Sequence, residues 1–407
     1  MIELDKAREL LFPEAPALET VEVGVEQAYG RVLRQEVPAD RDFPPTDRSA
    51  MDGFAVLASD LSAGERVLEV VGESRAGGPS EGVLVESGQA VRIMTGGVVP
   101  PGADAVVMVE NTRTNETRDR VTIADQPAPG QHIRPRAQDL KQGEAALLPG
   151  VPIYAPEIAA LSSVGARRIL VTRTPAVSVL ATGDEIVEPD QKPLPHQLRN
   201  SNSPALLAQL KELEIEGNYL GIAADDREDL RRRIRQGLEG DCLLISGGVS
   251  VGEYDLVGEV LAEEGLRLIF HKVAVKPGKP ILAGRCGKCL VLGLPGNPVS
   301  TYVGFLLFVA PVLRRMLGYG RWDNSELTAT LEEPLRAKPG RMTFHLARLR
   351  ASDGGLIASG AASRGSGDVL SMIRANGLVV TPAGGADLPA GASLPALLWR
   401  DFQQRGF

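Results

Sequence analysis

Cysteine is scarce: the 407 residues carry three, Cys242, Cys286 and Cys289, too few for a disulfide framework and consistent with a reducing cytosol. A dense basic cluster is missing too. With a formal charge of −8, a phosphate-backbone surface and hence a nucleic-acid partner are not expected. The one arginine triplet, Arg231 to Arg233, lies beside Glu228 and Asp229 in a polar helical stretch and reads as a solvated face. No apolar run is long enough to argue for a bilayer span: Val299 to Leu313 contains Pro311 and is closed by Arg314 and Arg315, as expected of a buried helix. Glu3, Asp5, Lys6, Arg8 and Glu9 occupy the place where a signal peptide needs an apolar segment, so a cytoplasmic protein with no membrane partner is expected. HExxH, Walker A, GxSxG and a strand-following GxGxxG are absent and the four histidines are scattered, which weakens zinc-hydrolase, P-loop and Rossmann readings.

The length calls for several domains. Residues 2–12 have helical spacing, and prolines 38, 44 and 45 then break the chain. Short alternating runs at 66–71, 90–94, 105–109 and 120–123, separated by Gly/Pro clusters, mark a first β module over 46–140. Residues 1–45 and 141–171, with a helix near 155–163, read as a non-contiguous connecting segment whose residues 1–12 pack on the next domain. Over 172–322, apolar runs at 176–181, 218–223 and 242–245 alternate with helices at 203–214, 226–239 and 254–264, the pattern of a doubly wound parallel sheet. A long helix, 299–317, ends that domain. Alternating runs at 327–331, 343–349, 356–358, 377–381 and 393–398 then form a C-terminal β module over 323–407. The fold class is therefore multidomain α/β plus β.

Ligands of such a sheet bind beyond the carboxyl ends of its strands. Strand 242–245 runs into Ser246-Gly247-Gly248-Val249-Ser250-Val251-Gly252 before a helix, a glycine turn at a positive helix end that suits a phosphate. A second such loop, Gly293-Leu294-Pro295-Gly296-Asn297-Pro298, places Pro298 in the first helical turn. Strand 177–181 ends in Thr182-Gly183-Asp184-Glu185, a hydroxyl and two carboxylates able to position water, hold a metal or cap a helix. Each loop alone is an ordinary tight turn; three on one edge point to a site. In 271–280 a regular strand places Lys272 and Lys276 on one face, Cα atoms roughly 13 Å apart, suited to an elongated anion or merely to a solvated face. Cys286-Gly-Lys-Cys289 reads as a hairpin turn, since a structural zinc needs four ligands.

Taken in order, DRSAMDGFA, RIMTGG, PPGADAVVMVE, ATGDE, RNSN, GGVSVGEYD, VKPGKP and GLPGNPVS resemble the MoeA family, to which gephyrin E domains also belong. The likeness runs from about residue 38 to 380, and the C-terminal module joins it through Gly365-Ser366-Gly367-Asp368. It implies an elongated homodimer with a Mog-like α/β domain, and a cleft shared between subunits. The implied activity is molybdenum transfer from molybdate to adenylylated molybdopterin with release of AMP, the last step of molybdenum cofactor synthesis, assisted by Mg²⁺. A pterin adenylyltransferase and acceptor molybdoenzymes are the implied partners. A second enzyme reading is that adenylyltransferase itself; a third is a non-catalytic scaffold.

By position, the resemblance implies roles for Asp52, Thr95, Asp139, Glu185, Asp225 or Asp226, Lys272 and Lys276, with Lys279 beside them. Substrate contacts are expected from Gly247, Gly248, Ser250, Gly252, Pro295, Gly296, Asn297, Pro298 and Ser366, and magnesium at Asp255. The lysines would neutralise oxyanion charge, with Thr95 as an oxyanion donor. Glu185 and Asp52 would interchangeably orient water or carry protons. Arg136-Ala137-Gln138-Asp139 departs from the family's Gly-Glu-Asp-like form, which leaves Asp139 less firmly tied to it.

Overall fold

The computed structural model describes residues 1–78, 83–248, 256–324, 327–337, 339–361 and 363–399. They form two compact units: residues 35–148 with 155–168, and residues 1–34 with 149–154 and everything from 169 onward.

The smaller unit is built on six strands: β1 (Gly53–Val56), β2 (Arg66–Ser74), β3 (Gln89–Ile93), β4 (Ala105–Met108), β5 (Thr112–Thr114) and β6 (Arg120–Ile123). They lie in the order β4-β1-β3-β2-β6-β5. The two faces of β1 enter different clusters, Phe54 and Val56 packing with Leu68, Val107 and Ile123 while Ala55 packs with Val85, Val91 and Val106. That split follows from the two-residue period of a strand.

The larger unit contains a six-stranded sheet of β7 (Val177–Thr182), β8 (Gly217–Ala223), β9 (Cys242–Ser246), β10 (Arg267–His271), β12 (Leu282–Cys286) and β13 (Cys289–Leu294); a two-residue strand, β11 (Val275–Lys276), lies between β10 and β12 in the chain. The order is β8-β7-β9-β13-β12-β10. The first four strands form the expected doubly wound parallel sheet, and the last two add to it by antiparallel pairing. The hairpin that pairs Cys286 with Cys289 turns β12 antiparallel to β13, and β10 pairs antiparallel with β12. Cysteines 242, 286 and 289 are buried free thiols. Burial pushes all three up in pKa, away from the thiolate that a metal would need.

β7, β9 and β13 are buried along their whole length, because helices cover both faces. Val177, Val179, Leu244, Leu290, Leu292 and Leu294 face a cluster with Leu4, Ala7 and Leu11 of the helix Leu4–Leu11 and with the long helix from Pro298. Leu180, Leu243, Ile245 and Val291 face Leu230, Ile234, Val257 and Leu261 of the helices Arg227–Leu238 and Leu256–Glu263. Those two helices are laced by arginines: Arg231 pairs with Glu228, Glu263 and Glu264, while Arg232 and Arg233 pair with Asp229. The triplet is therefore a network of surface ion pairs. Leu4, Ala7 and Leu11 follow helical spacing, and truncating the fully buried Leu11 to alanine costs about 2–5 kcal/mol.

The helix Pro298–Met316 is long and apolar enough to be compared with a membrane span, but 78% of its apolar window is buried inside the protein. A π turn at Phe305–Val309 precedes Pro311, which has no N–H to offer Leu307.

After it, β14 (Leu327–Leu331), β15 (Met342–Ser352), β16 (Gly355–Gly360), β17 (Gly377–Thr381) and β18 (Ser393–Leu398) close on themselves as β15-β16-β14-β18-β17, with β17 returning to β15. β11 adds to this barrel, Val275 opposite Met342 and Lys276 opposite Thr343.

Candidate active site

The register Ala181–Ser246 and Ser246–Leu294 brings the carboxyl ends of β7, β9 and β13 side by side. The loops leaving them are tied together. Gly247 N–H donates to the Leu294 carbonyl (3.1 Å), and the Asn202 amide donates to both Ser246 Oγ and the Gly296 carbonyl (2.8 Å each). Gly247 and Gly248 have φ of +93° and +62°, and a Cβ at either would come within 2.6 Å of the Thr182 carbonyl or of Val257 Cγ2. Only glycine allows the turn to lie this close. From the barrel, the Ser366 hydroxyl accepts from Asn297 Nδ2 (3.1 Å) and its carbonyl from Val299 N–H (3.1 Å), seating the 365–368 loop on the start of the long helix.

An acidic edge lies beside these loops. Asp225 N–H donates to Asp184 Oδ1 (3.0 Å), and burial together with the Asp184 and Glu185 charges raises the Asp225 carboxyl above its ordinary range. Asp226 is engaged elsewhere, for its carboxylate accepts from Asp229 N–H (2.9 Å) and caps the helix Arg227–Leu238. Of the two, Asp225 is the one at the strand ends.

Between the Pro295–Pro298 loop and the barrel lies a cavity of about 590 Å³, lined among others by Lys276, Lys279, Arg341, Asn297, Ser366 and His345. Glu333 also faces it, so the balance of ionised lining groups named is positive. His345 bonds Thr381 Oγ1 (3.0 Å), and burial followed by the Lys276 charge holds its imidazole below the usual value. Lys272 does not share a face with Lys276. It adopts φ +71°, which ends β10; the chain then pairs with Ile2 before β11 joins the barrel. The period-two reading fails because a left-handed residue cannot continue the pleat. Lys276 and Lys279 line the cavity; Lys272 does not.

In the smaller unit, Asp52 Oδ1 accepts both the N–H (2.6 Å) and the hydroxyl (2.7 Å) of Thr95. These bonds, the backbone one first, hold the Asp52 carboxyl below the ordinary range. Thr95 is thus not an open oxyanion donor, because both of its donors serve Asp52. Arg48 bonds the Gly96 carbonyl (2.7 Å), and residues 48–49 pair with 133–134, drawing in the stretch that ends at Asp139. Asp139 itself pairs with Arg134. Ser250, Gly252 and Asp255 lie outside the described residues.

This chain matches models of the MoeA N-terminal region (domain I and II) over residues 2–165, the probable molybdopterin binding domain over 178–315 and the MoeA C-terminal region (domain IV) over 328–399. It is 36% identical to a molybdopterin molybdenumtransferase of Nostoc sp., the match covering 91% of this chain and 86% of the relative. The chain belongs to the MoeA family. Two solved structures of a molybdopterin biosynthesis MoeA protein from Pyrococcus horikoshii superpose with TM-scores of 0.79 and 0.83 at 31% and 27% identity, each pairing covering 98% of this chain and 100% of the other. Within this MoeA chain, the residues that sequence reasoning missed are Asn202, Arg341 and His345. Asn202 was visible inside the RNSN motif. Arg341 and His345 had no motif of their own and are brought to the cavity by the pairing of β11 with β15.

Proposed function

We propose that this chain transfers molybdenum from molybdate to the dithiolene of adenylylated molybdopterin, releasing AMP. The observation that carries the reading is the cavity ringed by Lys276, Lys279, Arg341 and Ser366 and bordered by Pro295 and Asn297, whose turn is tied to the Gly247–Gly248 turn, in a chain whose relatives are named molybdopterin molybdenumtransferase. Both substrates are anions, and a protein of charge −8 needs local cations to hold them.

In this reading Lys276, Lys279 and Arg341 draw molybdate in and offset its charge, with Ser366 and Asn297 as neutral donors. The turn at Gly247 and Gly248, with Pro295 and Gly296 opposite and Pro298 starting the helix, receives the nucleotide phosphate. An oxygen leaving molybdate as water takes up two protons; Asp225, with its raised pKa, is a suitable carrier, and Glu185 orients the water that attacks the phosphoanhydride. Asp52, held ionised by Thr95, serves better as a fixed charge than as a base. Lys272 and Asp139 are the less direct members of the proposal. Magnesium belongs to it through Asp255; among the described residues no three His, Cys, Asp or Glu side chains are placed to hold a metal, and no step above runs through one. A cytoplasmic homodimer that receives its pterin from an adenylyltransferase and passes its product to acceptor molybdoenzymes completes the proposal.

The test is AMP release from adenylylated molybdopterin by the purified protein with Mg²⁺, with and without molybdate. Molybdate-dependent release is the expected result. Consumption of ATP instead would indicate adenylylation, and no release from folded protein would overturn the enzymatic reading.

A further inference from the structure

Thr182, the last residue of β7, is 4% exposed, and its Oγ1 is buried without a hydrogen-bond partner. Among the described residues, it is the only such side chain on a strand of the α/β sheet. A buried hydroxyl left unpaired is a standing cost to the fold, one that valine would avoid in nearly the same volume. The glycine turn passes directly over it: a Cβ at Gly248 would lie 2.7 Å from Thr182 Oγ1 and one at Gly247 3.1 Å. Glycine backbone, with no side chain of its own, therefore lies over the hydroxyl, at the place where the strand ends open toward ligand.

We propose that Thr182 Oγ1 is a ligand contact, donating a hydrogen bond to a phosphate oxygen lodged against the Gly247–Gly248 turn. This rests on the nucleotide-bearing substrate proposed above. The hydroxyl is then unsatisfied only in the free protein, and ligand supplies its acceptor. The turn contributes backbone and the strand contributes one short, rigid side chain.

Opposite effects are expected in the free and the bound protein. Thr182→Val removes the unpaired hydroxyl, so the free protein should unfold about 2 °C higher, yet it should bind AMP roughly ten- to a hundredfold more weakly by calorimetry, the loss expected for a hydrogen bond to a charged oxygen. Thr182→Ser, which keeps the hydroxyl, should retain AMP affinity within a few fold. Equal AMP affinity of the valine variant and the parent would overturn the proposal, as would a valine variant both less stable and weaker, the mark of a structural hydroxyl. The parent's AMP release with molybdate reports separately on the proposed function. A parent that turns over while the valine variant binds AMP equally well rejects the Thr182 contact alone; a parent that neither turns over nor binds AMP rejects both.

Discussion

Replacing Asn202 with alanine removes one amide and two bonds, to Ser246 Oγ and to the Gly296 carbonyl, each 2.8 Å. The two acceptors respond differently. Ser246 is 4% exposed, so its hydroxyl loses a partner that water cannot easily replace, a cost of about 1–2 kcal/mol. Gly296 is exposed and water takes over at little cost. Helix propensity adds almost nothing, since alanine suits the first turn of the helix Asn202–Lys211. The expected loss is therefore about 1–2 kcal/mol of stability, a fall of roughly 2–4 °C in unfolding temperature. The functional loss should be larger in proportion, because the amide spans the two loops proposed to receive the phosphate: the concentration of adenylylated molybdopterin giving half-maximal AMP release should rise about tenfold. Asn202→Asp separates donor chemistry from shape. A carboxylate has nearly the amide's outline but cannot donate, and it sets a negative charge against two oxygens, so aspartate should be worse than alanine. If aspartate instead retains more activity than alanine, Asn202 acts through shape and the donor argument is wrong.

Asp241 accepts two bonds from Arg173 (2.6 and 2.8 Å) and one from Ala176 N–H (2.8 Å), with its side chain 8% exposed. Asp241→Ala should cost about 2–4 kcal/mol, near the lower part of the range for breaking a buried pair because Arg173 keeps some contact with water, measured by urea unfolding. The Arg173 guanidinium holds the Asp241 carboxyl below its usual value; the stabilisation is thus complete above the unfolded pKa near ~4 and lost as pH falls through the lower folded one, so the parent and Asp241→Asn should converge in acid. Lys276→Met should raise the molybdate concentration for half-maximal AMP release about tenfold and shift the His345 imidazole upward in an NMR titration, since Lys276 is one of the two influences lowering it; an unmoved imidazole would place the lysine elsewhere. Thr95→Val deletes one of the two donors to Asp52, so the Asp52 carboxyl should titrate higher than in the parent but still below an ordinary aspartate, and an unchanged titration would show that the hydroxyl does not matter.

The α/β domain was legible because β7, β9 and β13 are continuous apolar runs and the helices between them carry helical spacing. Its mixed sheet was not read, although the Cys286–Cys289 hairpin was, because a tight turn between adjacent apolar runs fixes their direction only once they are known to be neighbours. Lys272 misled for a local reason: nothing in His271-Lys272-Val273 announces a left-handed lysine, and alternation on either side of it looks like one strand. Asp226 is the reverse case. Read beside Asp225 it looked equally functional, yet an aspartate just before a helix, three residues ahead of a free backbone N–H, is a capping pattern. Asn202, Arg341 and His345 depend on contacts between segments distant in sequence, which spacing cannot supply.

The C-terminal barrel was the least legible part of the candidate site and turns out to be built into it. Thr343 and His345 sit at the beginning of β15 with Arg341 just before it, and β15 is the strand with which Lys276 of β11 pairs. The same barrel sends Ser366 to Asn297. Two of the cavity's cations, Lys276 and Lys279, therefore come from the α/β domain and the third, Arg341, from the barrel, with the relative place of all three fixed by backbone pairing of only two residues. Such a short ladder cannot hold two domains alone. The shared apolar cluster does more: Phe344, Leu346 and Leu378 of the barrel pack with Val275, Ile281 and Val303 of the α/β domain. A barrel anchored through the same strand that carries His345 and follows directly on Arg341 makes the charge balance of the cavity a consequence of core packing, so substitutions at Phe344 or Leu346 should alter anion affinity without touching a charged residue.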